Sequence, residues 1–131
     1  MWVIKMAKIR IKTSLNTINE MSANITNEIV GEKNDNEIIY NEGEIKVIIN
    51  ILDNKVKMSR INEDYTIKME FVKNSITDGL YDIKDVNSKF NLAVETNELK
   101  IEDGMIFVNY HLNLNNEDMG VFKFQLDYEV I

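Results

Sequence analysis

Apolar and polar residues exchange places at almost every position from about Ile45 to the C-terminus. Tyr65, Ile67, Met69 and Phe71 alternate with Thr66, Lys68 and Glu70, and Ile106, Val108, Tyr110, Leu112 and Leu114 alternate with Phe107, Asn109, His111 and Asn113. A period of two marks strands with one face in a core and the other in water. Turn signals interrupt the pattern at Asp53-Asn54, Asn62-Glu63-Asp64, Lys73-Asn74, Asp103-Gly104 and Asn115-Asn116-Glu117-Asp118. Short turns of Asn, Asp and Gly between alternating runs are hairpin chemistry, because these residues accept positive φ at low cost. The expected strands are 4–13, 25–33, 37–41, 44–52, 55–61, 65–72, 75–82, 88–97, 98–102, 105–114 and 119–130. In the last, Phe122, Phe124, Leu126, Tyr128 and Val130 share one face.

Two regions depart from this regularity. Leu15, Ile18, Met21 and Ile25 are spaced for one or two helical turns within 14–24, and a polar connection with a few anchors fits equally well. Trp2, Ile4 and Met6 alternate in one phase, and Ile9, Ile11, Thr13 and Leu15 in the other. A slip of one residue turns every side chain over, so either a bulge lies near Ala7 or the regular strand starts around Met6, with residues 1–5 loosely attached. Many antiparallel strands with almost no helix leave a sandwich or a closed barrel. Short connections favour a single all-β, antiparallel up-and-down barrel of about 8–10 strands spanning 1–131. Closure also removes edges that a chain with 0 prolines guards poorly.

Composition narrows the setting. With 0 cysteines, disulfides, thiolate metal sites and Cys nucleophiles are excluded. The 15 basic and 22 acidic residues give a net charge of −7, which disfavours general nucleic-acid binding. Lys5, Lys8, Arg10 and Lys12 form a basic start without acids. It reads as a partner-binding arm or, more plainly, as an edge strand on which lysines discourage intermolecular pairing. Those lysines and Arg10 also interrupt any signal-peptide core, and no run approaches the ~18 apolar residues of a membrane span. A cytoplasmic protein with no membrane or nucleic-acid partner is expected. Ile, Asn and Lys are abundant and share A/T-rich codons, which makes the asparagines poor functional markers.

The run YNEGEIKVIINILDNKVKMSRINEDYTIKMEF, followed by GLYDIKDVNSKFNLAVETNELKIEDGMIFVNYHLNL, resembles the YwiB-like proteins of low-GC Gram-positive bacteria. The resemblance covers roughly residues 6 to 131. It rests on Arg60 closing one strand, Met69 and Phe71 in the next, Tyr81 in the one after, a strand ending in Thr96, and the strand from Gly104 to Tyr110. The family tends to carry Gly after that Arg and before the strand near Phe90, where this chain has Asn62 and Asn87. Asn tolerates positive φ, so both turns are expected to survive. The resemblance implies a lipocalin-like, calycin-type barrel and a bacterial cytoplasmic origin, and it implies no activity.

Few residues offer chemistry. His111 is the single histidine and lies on a polar strand face, so it reads as solvent-facing sooner than as a base or ligand. The turn carboxylates Glu63-Asp64, Asp82, Asp85, Glu102-Asp103 and Glu117-Asp118 match no calcium loop and read as solvated. No phosphate-binding, hydrolase-elbow or zinc-protease motif is present. Arg60 shares inward parity with Val56 and Met58, and a guanidinium inside a barrel needs a carboxylate, a carbonyl or an anionic ligand. It anchors a ligand at the barrel mouth or, more plainly, reaches water or pairs with an internal acid. Thr96 ends the inward series Phe90, Leu92 and Val94, and Tyr110 sits in the series Ile106, Val108, Tyr110.

Arg60, Thr96 and Tyr110 are therefore the candidate ligand contacts, with no metal site and no cofactor expected. The expected function is non-enzymatic binding of a small apolar or amphipathic molecule. The alternative is a filled barrel that homodimerises or binds another protein through outward Ile48, Leu52, Ile76, Leu80 and Phe107. An enzyme is the weakest reading, since no acid–base or nucleophile constellation is visible.

Overall fold

The computed structural model describes residues 6–17 and 27–131. Among these residues there are ten strands and no helix: β1 (Ala7–Thr17), β2 (Asn27–Lys33), β3 (Glu37–Glu42), β4 (Ile45–Leu52), β5 (Lys55–Ile61), β6 (Tyr65–Val72), β7 (Ser75–Ile83), β8 (Ser88–Glu102), β9 (Met105–Leu114) and β10 (Glu117–Val130). Each strand pairs antiparallel with its sequence neighbour, and β1 pairs with β10 to close the barrel. Nine successive residue pairs, Ile9↔Val130 to Thr17↔Phe122, form that closure. The sandwich is thereby excluded, and the up-and-down barrel expected from the short turns is the architecture found.

The turns explain how this chain makes so many reversals. Asp53, Asn74, Asn87, Asn115 and Asn116 all have positive φ, between 34° and 69°. Asn87 thus replaces glycine at a left-handed position, as its residue type allows. Asn62 works differently: its Oδ1 accepts hydrogen bonds from the backbone N–H groups of Asp64 and Tyr65, at 2.8 and 2.9 Å. Its side chain thereby mimics a backbone turn.

Three boundaries differ from the sequence expectation. Residues 14–17 continue β1 in pairing with β10, so no helical turn forms there; a ladder partner outweighs the three-to-four spacing of Leu15 and Ile18. The regular strand does begin beside Met6, at Ala7, while residues 1–5, the expected loose extension, and 18–24 lie outside the described residues. The runs 88–97 and 98–102 are one strand, β8. Its register shifts between Thr96 and Glu98, and the extra residue of this bulge reverses parity. Phe90, Leu92, Val94 and Thr96 point inward before it, and Leu99 and Ile101 after it, which is why the sequence reads as two strands. A second shift, between Asp118 and Gly120, lets β10 start at Glu117.

Inward side chains divide the lumen into two parts. Ile9, Ile11, Ile38, Val47, Ile49, Val56, Phe71, Val94, Ile106, Val108 and Leu126 are each 0–1% exposed and form a close-packed floor. The opposite end carries the β3–β4, β5–β6, β7–β8 and β9–β10 turns and is less filled by the described residues. Ten strands enclose more space than the eight that side chains just fill. The wall is also uneven. β2 and β3 pair only through Glu32↔Ile39 and Lys33↔Ile38. The β6–β7 ladder runs from Tyr65↔Ile83 to Lys68↔Leu80 and stops there. Beyond it the Thr77 hydroxyl donates to the Glu70 carbonyl and bridges the two strands.

Candidate functional site

The less filled end forms a cup of about 300 Å³, lined by Thr13, Ser14, Leu15, Glu42, Met58, Arg60, Met69, Phe71, Tyr110 and Phe124. Strand parity places all of them but Ser14, which lies between inward Thr13 and Leu15 on β1. Met58 and Arg60 are inward on β5, Met69 and Phe71 on β6, and Tyr110 and Phe124 on β9 and β10. One wall is aromatic: the Tyr110 ring stands 4.9 Å from Phe71 and stacks 5.5 Å from Phe122. Nearer the rim, Tyr81 packs edge-on against Tyr65 and Phe90, at 5.8 and 6.1 Å.

Arg60 is not free. Its Nη2 donates to Glu42 Oε2 at 2.8 Å, with the two side chains 25% and 22% exposed. Burial alone would push the guanidinium pKa down, but the hydrogen bond and charge of Glu42 outweigh it and hold the group above its ordinary value. The internal acid is thus the partner found, and Glu42 is the residue that the sequence reading missed. It shares parity with Ile38 and Tyr40, yet the expected strands stopped at Asn41 and resumed at Glu44, which left Glu42-Gly43 to the connection.

Tyr40 and Tyr110 beside the pair remain neutral phenols. Burial pushes Tyr110 up to about 12, with the Arg60 charge pulling weakly the other way. Tyr40 is raised further, by burial first and then by the nearby Glu42 carboxylate, and its buried hydroxyl makes no hydrogen bond of good geometry. A neutral phenol is neither a nucleophile nor a base at neutral pH. No group of three or more His, Asp or Glu side chains is placed to hold a metal among the described residues.

Arg60 and Tyr110 meet in the cup, and Thr96 does not join them. It pairs with Tyr110 across the β8–β9 ladder and is 0% exposed, with Oγ1 lacking a partner among the described residues. A buried unpaired hydroxyl costs about 1–3 kcal/mol. Thr96→Val, which keeps the shape, is expected to raise the melting temperature by several degrees and leave cup binding unchanged. A fall in thermal stability in a scanning calorimeter would show that the hydroxyl has a role.

His111 lies on the outer surface. Its Nε2 donates to Asp118 Oδ1 at 2.6 Å, and the Gly120 N–H donates to the same oxygen at 2.8 Å across the bulge. The His111 hydrogen bond, then that of Gly120, hold the Asp118 carboxyl below its ordinary pKa. A depressed carboxylate stabilises the fold above its unfolded value and loses that contribution as pH falls through the folded one. Asp118→Asn is therefore expected to melt slightly below the wild type at neutral pH, with the gap closing in strong acid. A gap that widens on acidification would contradict this assignment.

The outer apolar residues are split. Leu52 and Ile76 are exposed, at 39% and 69%, whereas Ile48, Leu80 and Phe107 are half-buried. Lys100 Nζ stands 5.9 Å above the Phe107 ring. No helix of the described residues is long and apolar enough to cross a membrane.

Comparison with known proteins agrees with this architecture. The model of a family described as a domain of unknown function (DUF1934) matches residues 4–126. The crystal structure of the YwiB protein from Bacillus subtilis superposes with a TM-score of 0.63, at 11% identity, over 96% of this chain and 92% of that one. At that identity the likeness shows the fold. No curated protein matches the chain.

Proposed function

For a chain that belongs to the DUF1934 family, we propose a non-enzymatic binding role: the cup takes one small amphipathic molecule. The observation that carries this reading is a cup of about 300 Å³ with an apolar wall and one buried-edge ion pair at its rim. Ligand sites are commonly apolar concavities, ~300 Å³ or larger, with a few placed polar groups. The pair also selects the polar end. Glu42 already neutralises Arg60, so a ligand carboxylate would set a second negative charge beside Glu42. Arg60 keeps donors to spare and Glu42 keeps an acceptor. An uncharged end that both donates and accepts, such as a hydroxyl or primary amide, fits that edge.

An aqueous setting supports this reading. Outward rows carry Lys46, Lys57, Lys68, Glu95, Lys123 and Asp127, where a membrane-spanning barrel carries an apolar band. Self-association has the weaker footing, because only Leu52 and Ile76 of the five suggested residues are exposed.

Native mass spectrometry of protein purified from its own host tests the proposal. A retained neutral small molecule, lost in a variant with the cup plugged by Phe124→Trp, is the expected result. A bare monomer mass, together with no binding of neutral amphiphiles added in solution, would overturn it.

A further inference from the structure

Two ladder pairs line the cup from opposite sides. Met58 and Met69 are partners across the β5–β6 ladder, and Leu15 and Phe124 are partners across the β1–β10 ladder. All four side chains border the same space. In the ring of strands, β5 and β6 are separated from β1 and β10 by β7, β8 and β9 one way round and by β4, β3 and β2 the other. The two pairs therefore stand on opposing walls. The Val56↔Phe71 pair lies one inward step deeper than Met58↔Met69. There the rings of Phe71 and Tyr110, 4.9 Å apart, form the base of the cup, and Phe122 stacks on Tyr110 and steadies it. Arg60 lies one inward step nearer the mouth than Met58, and its pair with Glu42 makes the polar edge.

The chemistry of this lining differs from that of the packed floor. The floor is built largely from branched aliphatic residues such as Ile9, Ile11, Ile38, Val47, Ile49 and Val56. Around the open space stand rings and thioethers instead: Phe71, Tyr110, Phe124, Met58 and Met69. Aromatic rings gain from offset and edge-to-face contacts with another ring, beyond the burial of area. Methionine sulfur also makes favourable contacts with aromatic rings, often at the ring edge. The base and both walls thus reward a π-system, whereas a saturated guest of equal size gains burial alone. At the ~0.75 density of a protein interior, a cup of about 300 Å³ has room for roughly two or three fused rings.

We infer that the cup selects aromatic guests over aliphatic ones, and that its ligand is a flat fused-ring molecule bearing one uncharged hydroxyl or primary amide. The rings lie between the Met58–Met69 wall and Phe124, above Phe71 and Tyr110, and the polar group meets Arg60 and Glu42. Met58 and Met69 are the specificity-determining residues, because they reward the π-system from the wall opposite Phe124. This inference rests on the cup being a binding site, as proposed above, and adds the ligand's chemical class and the residues that choose it.

Titration calorimetry with 2-naphthol and its saturated counterpart, decahydro-2-naphthol, separates the two ideas. Both carry one hydroxyl on the same carbon skeleton, so an unselective apolar cup would hold them with similar affinity. 2-Naphthol is expected to bind about tenfold more tightly. Leucine keeps the volume and apolar character of methionine but lacks its sulfur. In a variant carrying both Met58→Leu and Met69→Leu, affinity for 2-naphthol is expected to fall by about fivefold, while that for decahydro-2-naphthol stays within about twofold. Retained binding of the saturated alcohol shows that the variant is folded, and the wild-type comparison does not depend on it. Equal affinity of the wild type for the two alcohols, or a preference that the leucines leave untouched, would overturn the selection assigned here and leave the cup intact. Failure of both alcohols to bind the wild type would remove both readings.

Discussion

Phe71→Ala is expected to lower the unfolding free energy by about 3–5 kcal/mol, the usual cost of truncating a buried aromatic residue. Phe71 is 0% exposed and stands at the boundary between the packed floor and the cup. Its ring lies 4.9 Å from Tyr110, and Val56 faces it across the β5–β6 ladder. Removal forfeits burial, the aromatic contact and the close packing of the floor beneath. At this chain length the loss corresponds to a melting temperature lower by roughly 10–20 °C. The new void would be continuous with the cup, so water can enter it, which places the loss toward the lower end. Phe71→Leu retains most of the volume and is expected to cost about 1–2 kcal/mol. Equal melting temperatures for the two variants would mean that Phe71 is not the keystone of the lumen.

Gly31→Ala carries the second large effect, although it adds a single carbon. A Cβ on Gly31 would lie 2.7 Å from Ile11 Cδ1, 2.7 Å from the Ile39 carbonyl oxygen and 3.0 Å from Tyr40 Cβ. The tip of Ile11 can rotate away. The Ile39 carbonyl belongs to β3 and moves only if the strand moves. Because β2 and β3 are held by two residue pairs alone, this is where the barrel closes most weakly. Overpacking at such a site costs about 1–3 kcal/mol. The expected result is a melting temperature lower by roughly 5–10 °C, with faster amide exchange at Glu32, Lys33, Ile38 and Ile39 before other strands. An unchanged melting temperature would show that the seam yields without cost.

The two effects mark what could and could not be read from the chain alone. Inward parity is local, so Phe71, Tyr110 and Arg60 were assigned to the lumen from their neighbours in sequence. The closeness of Gly31 to β3 and the pairing of Arg60 with Glu42 are contacts between strands. Their register is set by ladders that no periodicity reveals. Glu42 was hidden by its own turn, since a Glu-Gly pair between two strands is indistinguishable from a solvated reversal. Thr96 shows a related limit. Its parity is inward, but Oγ1 is enclosed and faces no open space. Asparagine behaved as its chemistry predicts, taking positive φ at Asn87 and capping the reversal at Asn62.

The division of the lumen into a solid floor and an open cup is the premise on which the binding role stands, and methyl NMR tests it directly. With Met and Ile methyl groups labelled, addition of decanol is expected to shift Met58 and Met69 and leave Ile9, Ile11, Ile38, Ile49 and Ile106 unmoved. Shifts spread through those isoleucines, or confined to exposed Ile76, would contradict it.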